Sequence, residues 1–287
     1  MGQVVRWRHS GYLRGSGAWQ EDDMDDGLAS DSAVAREWNG NARTWTDQVR
    51  GGRDVYREYF NNPAFLPFIG DLVGKVVLDA GCGEGYNTRI LARSGAQMTG
   101  VDISGRMIAL AQEEERREPL GIRYEAASFT DLSPFEANSF DAVVSFMALM
   151  DGADLAAAIR EIYRVLRPGG ELMFSVLHPC FITRDVGWIR DEAGRRVAIR
   201  VGSYFDTAPY IDHWHFQGAI GVPDFSVPRF PRMLSEYVNT VTKSGLLLRE
   251  IEEPRPTAEA CEQHPWLARW REHAALFLYL RASKDRA

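Results

Sequence analysis

Cysteine is scarce in this chain. There are three in 287 residues, Cys82, Cys180 and Cys261, far apart and without C-x-x-C spacing. That argues against a disulfide framework or a zinc site and fits a reducing compartment. No apolar run approaches the roughly 20 residues of a membrane span, and the N-terminus lacks the apolar core of a secretory signal. The expected location is therefore the cytoplasm, with no membrane span. Positive charge is also short: 33 Lys and Arg against 40 Asp and Glu give a net charge of -7, which speaks against a general attraction to nucleic acid. No internal repeat is visible. What is present is an ordinary globular composition, 45% hydrophobic and 25% charged, enough to bury a sizeable core.

Residues 1–32 read as a flexible polar arm, acidic and rich in glycine and serine. Residues 33–287 read as a single domain. It opens with aromatic helices over 33–70, broken by "NNP" at Asn61 to Pro63. Then strands and helices alternate. Strands are expected at 75–80, 97–101, 123–127, 140–146 and 171–176, with "RPGG" at Arg167 to Gly170 as the turn before the last. Helices are expected at 86–94, 104–118, 154–166 and, later, 233–244. Two further strand-like runs, 246–252 and 275–280, close the chain. The alternation predicts a doubly wound, Rossmann-like, mostly parallel α/β sheet. Between His178 and Arg232 it stops. That stretch is irregular and aromatic, and reads as an aromatic-rich cap insertion over 178–232.

The chemistry concentrates in "VVLDAGCGEGYNTRILARSGAQMTGVD", Val76 to Asp102. In an open parallel sheet, ligands bind beyond the carboxyl ends of the strands where strand order reverses. The turn after the first strand is that place, and here it is Gly81-Cys82-Gly83-Glu84-Gly85. Glycines admit positive φ and let a ligand lie against the backbone. The turn has no Gly-Lys-Ser/Thr, so it is no P-loop. It also departs from G-x-G-x-x-G, because the third glycine is Gly85 and position 86 is Tyr86. Asp79, directly before the turn, would sit poorly beside a pyrophosphate and suits a positively charged ligand group. Asp102, at the end of the second strand, is placed to accept hydrogen bonds from ribose hydroxyls. A ribose, a positive charge and no phosphate describe S-adenosylmethionine.

"VLDAGCGEG" and "GVDIS" resemble motif I and the acidic loop of the class I S-adenosylmethionine-dependent methyltransferases of the ubiquinone/menaquinone-biosynthesis-like, small-molecule type. "EAASFTDLSPFEANSFDAVVSFMALMD" resembles their adenine-contacting loop and fourth strand, and "EIYRVLRPGGELMFSV" their following helix, turn and strand. The resemblance covers residues 70–180. It implies a seven-stranded sheet with an antiparallel last strand and S-adenosyl-L-methionine as cofactor, leaving as S-adenosyl-L-homocysteine. It further implies that Gly81, Cys82 and Gly83 line the methionine part, with Asp79 near the amino group. Asp102 would hold the ribose, and Ile103 and Met107 would touch the adenine. Ser128 and Phe129 match the adenine loop, where the family's commonest polar residue is aspartate rather than Ser128. Phe146 and Met147 match the end of strand four, near the donor methyl.

Methyl transfer to a small-molecule O-, N- or C-acceptor is the expected activity, by in-line displacement that depends on orientation and on exclusion of water. Where the acceptor needs a base, His178 is the candidate, since it follows strand five on the same sheet edge. His213 and His215 in "DHWHF" are rivals; their spacing would suit a metal pair, but no carboxylate pattern supports one and no metal is expected. Trp188, Tyr204, Phe205, Trp214 and Phe216 of the insertion, with Trp38 and Trp45 opposite, are the expected acceptor pocket. These aromatics could instead form a satellite core or a homodimer interface. Two other activities stay open. A protein or RNA methyltransferase would want a basic groove, for which Arg195, Arg196 and Arg200 are the only modest cluster in the insertion. A non-catalytic cofactor-binding module of the same fold is the other.

Overall fold

The computed structural model describes residues 30–216 and 224–286. The expected arm falls almost wholly on residues 1–29 and lies outside them; its last two residues, Asp31 and Ser32, already belong to a helix. That helix, α1 (Asp31–Arg50), starts where the Ser30 hydroxyl accepts the Ala33 N–H. A single π turn (Arg57–Asn61) leads into α2 (Asn62–Ile69), with Pro63 in its first turn and Gly70 at φ 78 ending it.

Next come β1 (Val76–Ala80), α3 (Tyr86–Arg93), β2 (Gln97–Asp102), α4 (Gly105–Arg117), β3 (Arg123–Ala126) and β4 (Phe140–Phe146). Ser104 caps α4 by accepting the Met107 N–H. A 3₁₀ turn (Leu149–Asp151) and α5 (Leu155–Val165), capped by Asp154, precede β5 (Leu166–Leu177). Here the structure corrects the sequence: "RPGG" is not a free turn but the first part of a long β5, absorbed by a register shift against β4 between Phe140 and Ala142. Gly169, at φ 81, gives the kink.

The cap is also not structureless. It contains two antiparallel hairpins, β6 (Gly187–Arg190) with β7 (Arg196–Arg200) and β8 (Tyr210–Trp214) with β9 (Phe225–Arg229). The chain closes with α6 (Leu234–Lys243), β10 (Leu246–Glu252), α7 (Ala258–Gln263), a 3₁₀ turn (Pro265–Leu267), α8 (Ala268–Glu272) and β11 (Phe277–Lys284).

The main sheet has seven strands in the order β10-β11-β5-β4-β1-β2-β3. β1 to β5 pair in parallel, and β11 lies antiparallel to both β5 and β10. Strand order reverses at β1, whose neighbours are β2 and β4. This is the doubly wound sheet with an antiparallel last strand. Leu78, Val143, Phe174 and Ile159 are fully buried on one face; Val77, Val144, Met173 and Phe65 are fully buried on the other. A core on both faces explains why these strands read as continuous apolar runs. Among the described residues, no helix is long and apolar enough to cross a membrane.

Candidate functional site

One cavity lies beyond the carboxyl ends of β1, β2 and β4. It encloses about 1190 Å³ counting its open mouth.

The glycine turn forms its floor. The Gly81 and Cys82 N–H groups both donate to the Val101 carbonyl, at 2.8 and 2.9 Å, which ties the turn to β2. The Asp102 carboxylate then closes it: Oδ2 accepts the Gly83 N–H at 2.9 Å and Oδ1 accepts the Ser104 N–H at 2.8 Å. Each oxygen keeps a lone pair for a further donor. Burial pushes the Asp102 carboxyl up to about 6, against the pull of those two N–H donors. Asp79 is more unusual. It is almost fully buried, Oδ2 accepts the Thr88 hydroxyl at 2.6 Å, and Oδ1 has no hydrogen-bond partner among the described residues. Burial, with Asp102 and Glu84 adding to it, pushes its carboxyl up to about 7.

All eleven residues expected at the donor site line this one cavity. Asp79, Gly81, Cys82, Gly83 and Asp102 form the floor. Ile103, Met107, Ser128 and Phe129 come from the ends of β2 and β3 and from α4, and Phe146 and Met147 from the end of β4. The Ser128 hydroxyl bonds the Thr130 hydroxyl and N–H. These residues fit S-adenosylmethionine on two observations. A buried carboxylate oxygen without a donor is costly and calls for a hydrogen-bonding cation. A Cβ built on Gly83 meets nothing within 4 Å, so the backbone there is open to a ligand.

The acceptor side is only partly the one expected. Trp38, Trp45 and Trp214 line the cavity. Trp45 is the hub, with ring centroids 5.1 Å from Trp38 and 5.3 Å from Trp214, both edge-to-face. The β8–β9 hairpin is held on α1 by Asn41, whose amide donates to the Ser226 carbonyl at 2.8 Å. Phe216 lies behind these rings, against Trp45 and Trp214, and does not reach the cavity.

The other insertion aromatics and the histidines lie elsewhere. Trp188 turns to the far side and packs edge-to-face on Trp270 at 5.1 Å. Tyr204 accepts the Leu234 N–H through its hydroxyl, and Phe205 beside it is 80% exposed. His213 bonds Ser226, and His215 bonds Asp224 at 2.8 Å. His178 is also corrected. It does follow β5, but its buried ring is clamped outside the cavity lining, Nε2 to Glu253 at 2.6 Å and Nδ1 accepting the Cys180 N–H. Burial lowers its pKa against the opposing pull of Glu253. His178→Gln is therefore expected to leave turnover unchanged while costing about 1–3 kcal/mol of stability, measured by steady-state kinetics and thermal unfolding of the same preparation.

Sequence reasoning missed the polar half of the acceptor wall. Arg57 and Asn61 reach it from the π turn, a device common at functional sites. The Arg57 guanidinium lies 5.3 Å from the Tyr86 ring and 3.2 Å from the buried Asp54. Asp151, in the 3₁₀ turn after β4, pairs with Arg229 at 2.7 Å, and Arg229 also reaches Asp212. Burial raises Asp151 to about 6, against the attraction of Arg229. Asp151 was findable, since it follows β4 on the ligand-binding edge; Arg229 had no local signal.

A seven-stranded sheet of this order, with an open glycine turn after β1 and an acid at the end of β2, defines a Rossmann-like methyltransferase fold. Residues 78–174 match the family described as "Methyltransferase domain", and the chain is similar to class I S-adenosylmethionine-dependent methyltransferases. Over 120 residues it is 36% identical to a ubiquinone biosynthesis O-methyltransferase of Xanthomonas oryzae pv. oryzae, an alignment covering 41% of this chain and 50% of that protein. The chain thus spans about half the length of the curated relatives it matches. An S-adenosylmethionine-dependent methyltransferase structure from Mesorhizobium loti superposes with a TM-score of 0.64 at 28% identity, covering 78% of this chain and 97% of that one. A Listeria monocytogenes structure proposed to be of the same class gives 0.64 at 27% identity, over 82% of this chain and 99% of that one.

Proposed function

We propose that the protein methylates a small, largely apolar or aromatic acceptor from S-adenosylmethionine. The observation that carries this is the continuity of one cavity from Asp79 and Asp102 to the wall of Trp38, Trp45 and Trp214. When bound, S-adenosylmethionine supplies an electrophilic methyl group, whose carbon–sulfur bond breaks as the acceptor's electron pair forms the new bond. The chain's own part is positioning. Asp79 offers its unpartnered oxygen to the ammonium, and Asp102 offers its remaining lone pairs to the ribose. Phe146 and Met147 hold the reacting end between floor and acceptor. The tryptophans exclude water and orient a flat acceptor.

Among the described residues, no histidine lines the cavity. A proton leaving a hydroxyl acceptor would pass to water or to a cavity carboxylate, and Asp151, near neutrality, is the one placed at the end of β4. The similarity to ubiquinone biosynthesis O-methyltransferases supports a hydroxyl on a small ring as the acceptor group.

The test incubates the protein with methyl-labelled S-adenosylmethionine and, separately, a metabolite extract, a protein extract and total RNA. Label in a small molecule alone supports the reading, and label confined to protein or RNA sinks it. Trp38→Ala is expected to raise the acceptor KM about tenfold or more, as loss of one aromatic contact of roughly 1.5–3 kcal/mol requires. Its S-adenosylhomocysteine affinity, by calorimetry, should stay close to wild type.

A further inference from the structure

A second, smaller cleft lies away from this cavity, between the β6–β7 hairpin and the segment 265–273. It is lined by Arg190, Arg195, Arg196 and Arg269, with His273 beside them and Glu272 as its single carboxylate among the described residues. In a chain with net charge -7, such a local excess of positive charge is against the trend. Two of the arginines have ordinary reasons to be there: Arg195 pairs with Asp191, and Arg190 donates to the Gly194 carbonyl. The other two lack a carboxylate partner, although Arg269 lies over the rings of Trp188, Trp266 and Trp270. Among the described residues, neither Arg196 nor Arg269 has a carboxylate within ion-pair distance, and the Nε of each is buried without a hydrogen-bond partner. The Trp188 ring, whose centroid lies 6.0 Å from the Arg196 guanidinium and 5.7 Å from that of Arg269, carries a third buried donor, Nε1, without an acceptor among the described residues.

Burial, and repulsion from Arg269 and Arg190, disfavour the charge on Arg196. The protein therefore holds like charges together, part-buried, around N–H donors with nothing to accept them. A multi-oxygen anion removes the repulsion and supplies the acceptors, and planar guanidiniums match a phosphoryl group in particular. The cleft encloses about 440 Å³ with its mouth.

We propose that this cleft binds a compact phosphoryl anion, a diphosphate or phosphate monoester, at a site separate from the methyl-transfer cavity. The two share a wall. Arg269 also donates to the Tyr56 hydroxyl at 2.7 Å, and Tyr56 lines the main cavity.

Pyrophosphate, titrated calorimetrically at constant ionic strength, is the probe. The wild type is expected to bind it, and R196Q to bind it about tenfold more weakly or worse, as loss of one charge-assisted pair implies. Unliganded R196Q should melt no lower than wild type, because it relieves repulsion; a residue there only for packing would lower the melting temperature. R190Q, on the facing strand, is expected to weaken pyrophosphate similarly and serves if R196Q folds poorly. Equal affinity in wild type and both variants, or no heat beyond a sodium chloride control, overturns the proposal. So does Arg196-dependent binding of a single-stranded RNA oligonucleotide without binding of pyrophosphate.

Discussion

Gly83→Ala is expected to abolish measurable S-adenosylmethionine binding at a cost to the fold of only about 1–2 kcal/mol; Gly81→Ala should damage both. The two glycines are two residues apart, and their surroundings are opposite. A Cβ on Gly83 meets nothing within 4 Å, and its φ of 55 is the left-handed well that a non-glycine residue enters at a cost of about 1–2 kcal/mol. The new methyl group would stand in the space where the ligand must lie against the backbone. A Cβ on Gly81, at φ 84, falls 2.2 Å from the Ala148 Cβ. The turn cannot yield there, because the Gly81 and Cys82 N–H groups are both held on the Val101 carbonyl. Backbone strain and overpacking together suggest a loss of about 2–5 kcal/mol for Gly81→Ala. Thermal unfolding and calorimetry with S-adenosylhomocysteine on both variants separate the cases. Normal binding by folded Gly83→Ala would remove the turn from the donor site.

The donor half of the site was legible because its determinants are local. Strand, turn, helix and strand follow within Val76 to Asp102, so spacing along the chain is already spacing in space. The adjoining residues Ile103, Met107, Ser128, Phe129, Phe146 and Met147 each sit just past a strand end, where topology alone points them at the cavity. The acceptor half is different. Asp151 meets Arg229 across 78 positions, and Asn41 holds Ser226 across 185. Nothing in the local pattern around Arg229 reports such a partner. His178 shows the limit most clearly. Its chain position placed it on the right edge of the sheet, but a partner 75 residues away, Glu253, decides where the ring points. Trp188 was read as pocket because aromatic composition cannot tell which of two clusters a ring joins. It joins Trp270, on α8 near the end of the chain.

Asp79→Asn should make the ligand-free protein more stable and the binding site nearly useless. At pH 8 the wild-type carboxylate is buried, ionised and one acceptor short of a donor. Its folded pKa of about 7 lies above the ordinary 3.8. The folded state therefore holds the proton more tightly than the unfolded chain, and this contribution to stability is full below about pH 4 and lost as pH rises through about 7. Asparagine keeps the shape without the charge, so the variant should gain on wild type as pH goes from 5 to 8. Binding runs the other way. An ammonium group needs the ionised form, so wild-type affinity for S-adenosylmethionine should rise about tenfold per pH unit below 7 and level off above it. In Asp79→Asn that rise should be missing. At pH 8 affinity should fall about 10–100-fold, the size of one buried hydrogen bond to a charged group of roughly 1.5–3 kcal/mol. Calorimetry from pH 5.5 to 8 with both proteins, in buffers of differing ionisation heat, also reads the proton released on binding. A pH-independent wild-type affinity would show that Asp79 does not face the cation. Raised stability with lost binding marks a group kept for its ligand and not for the fold.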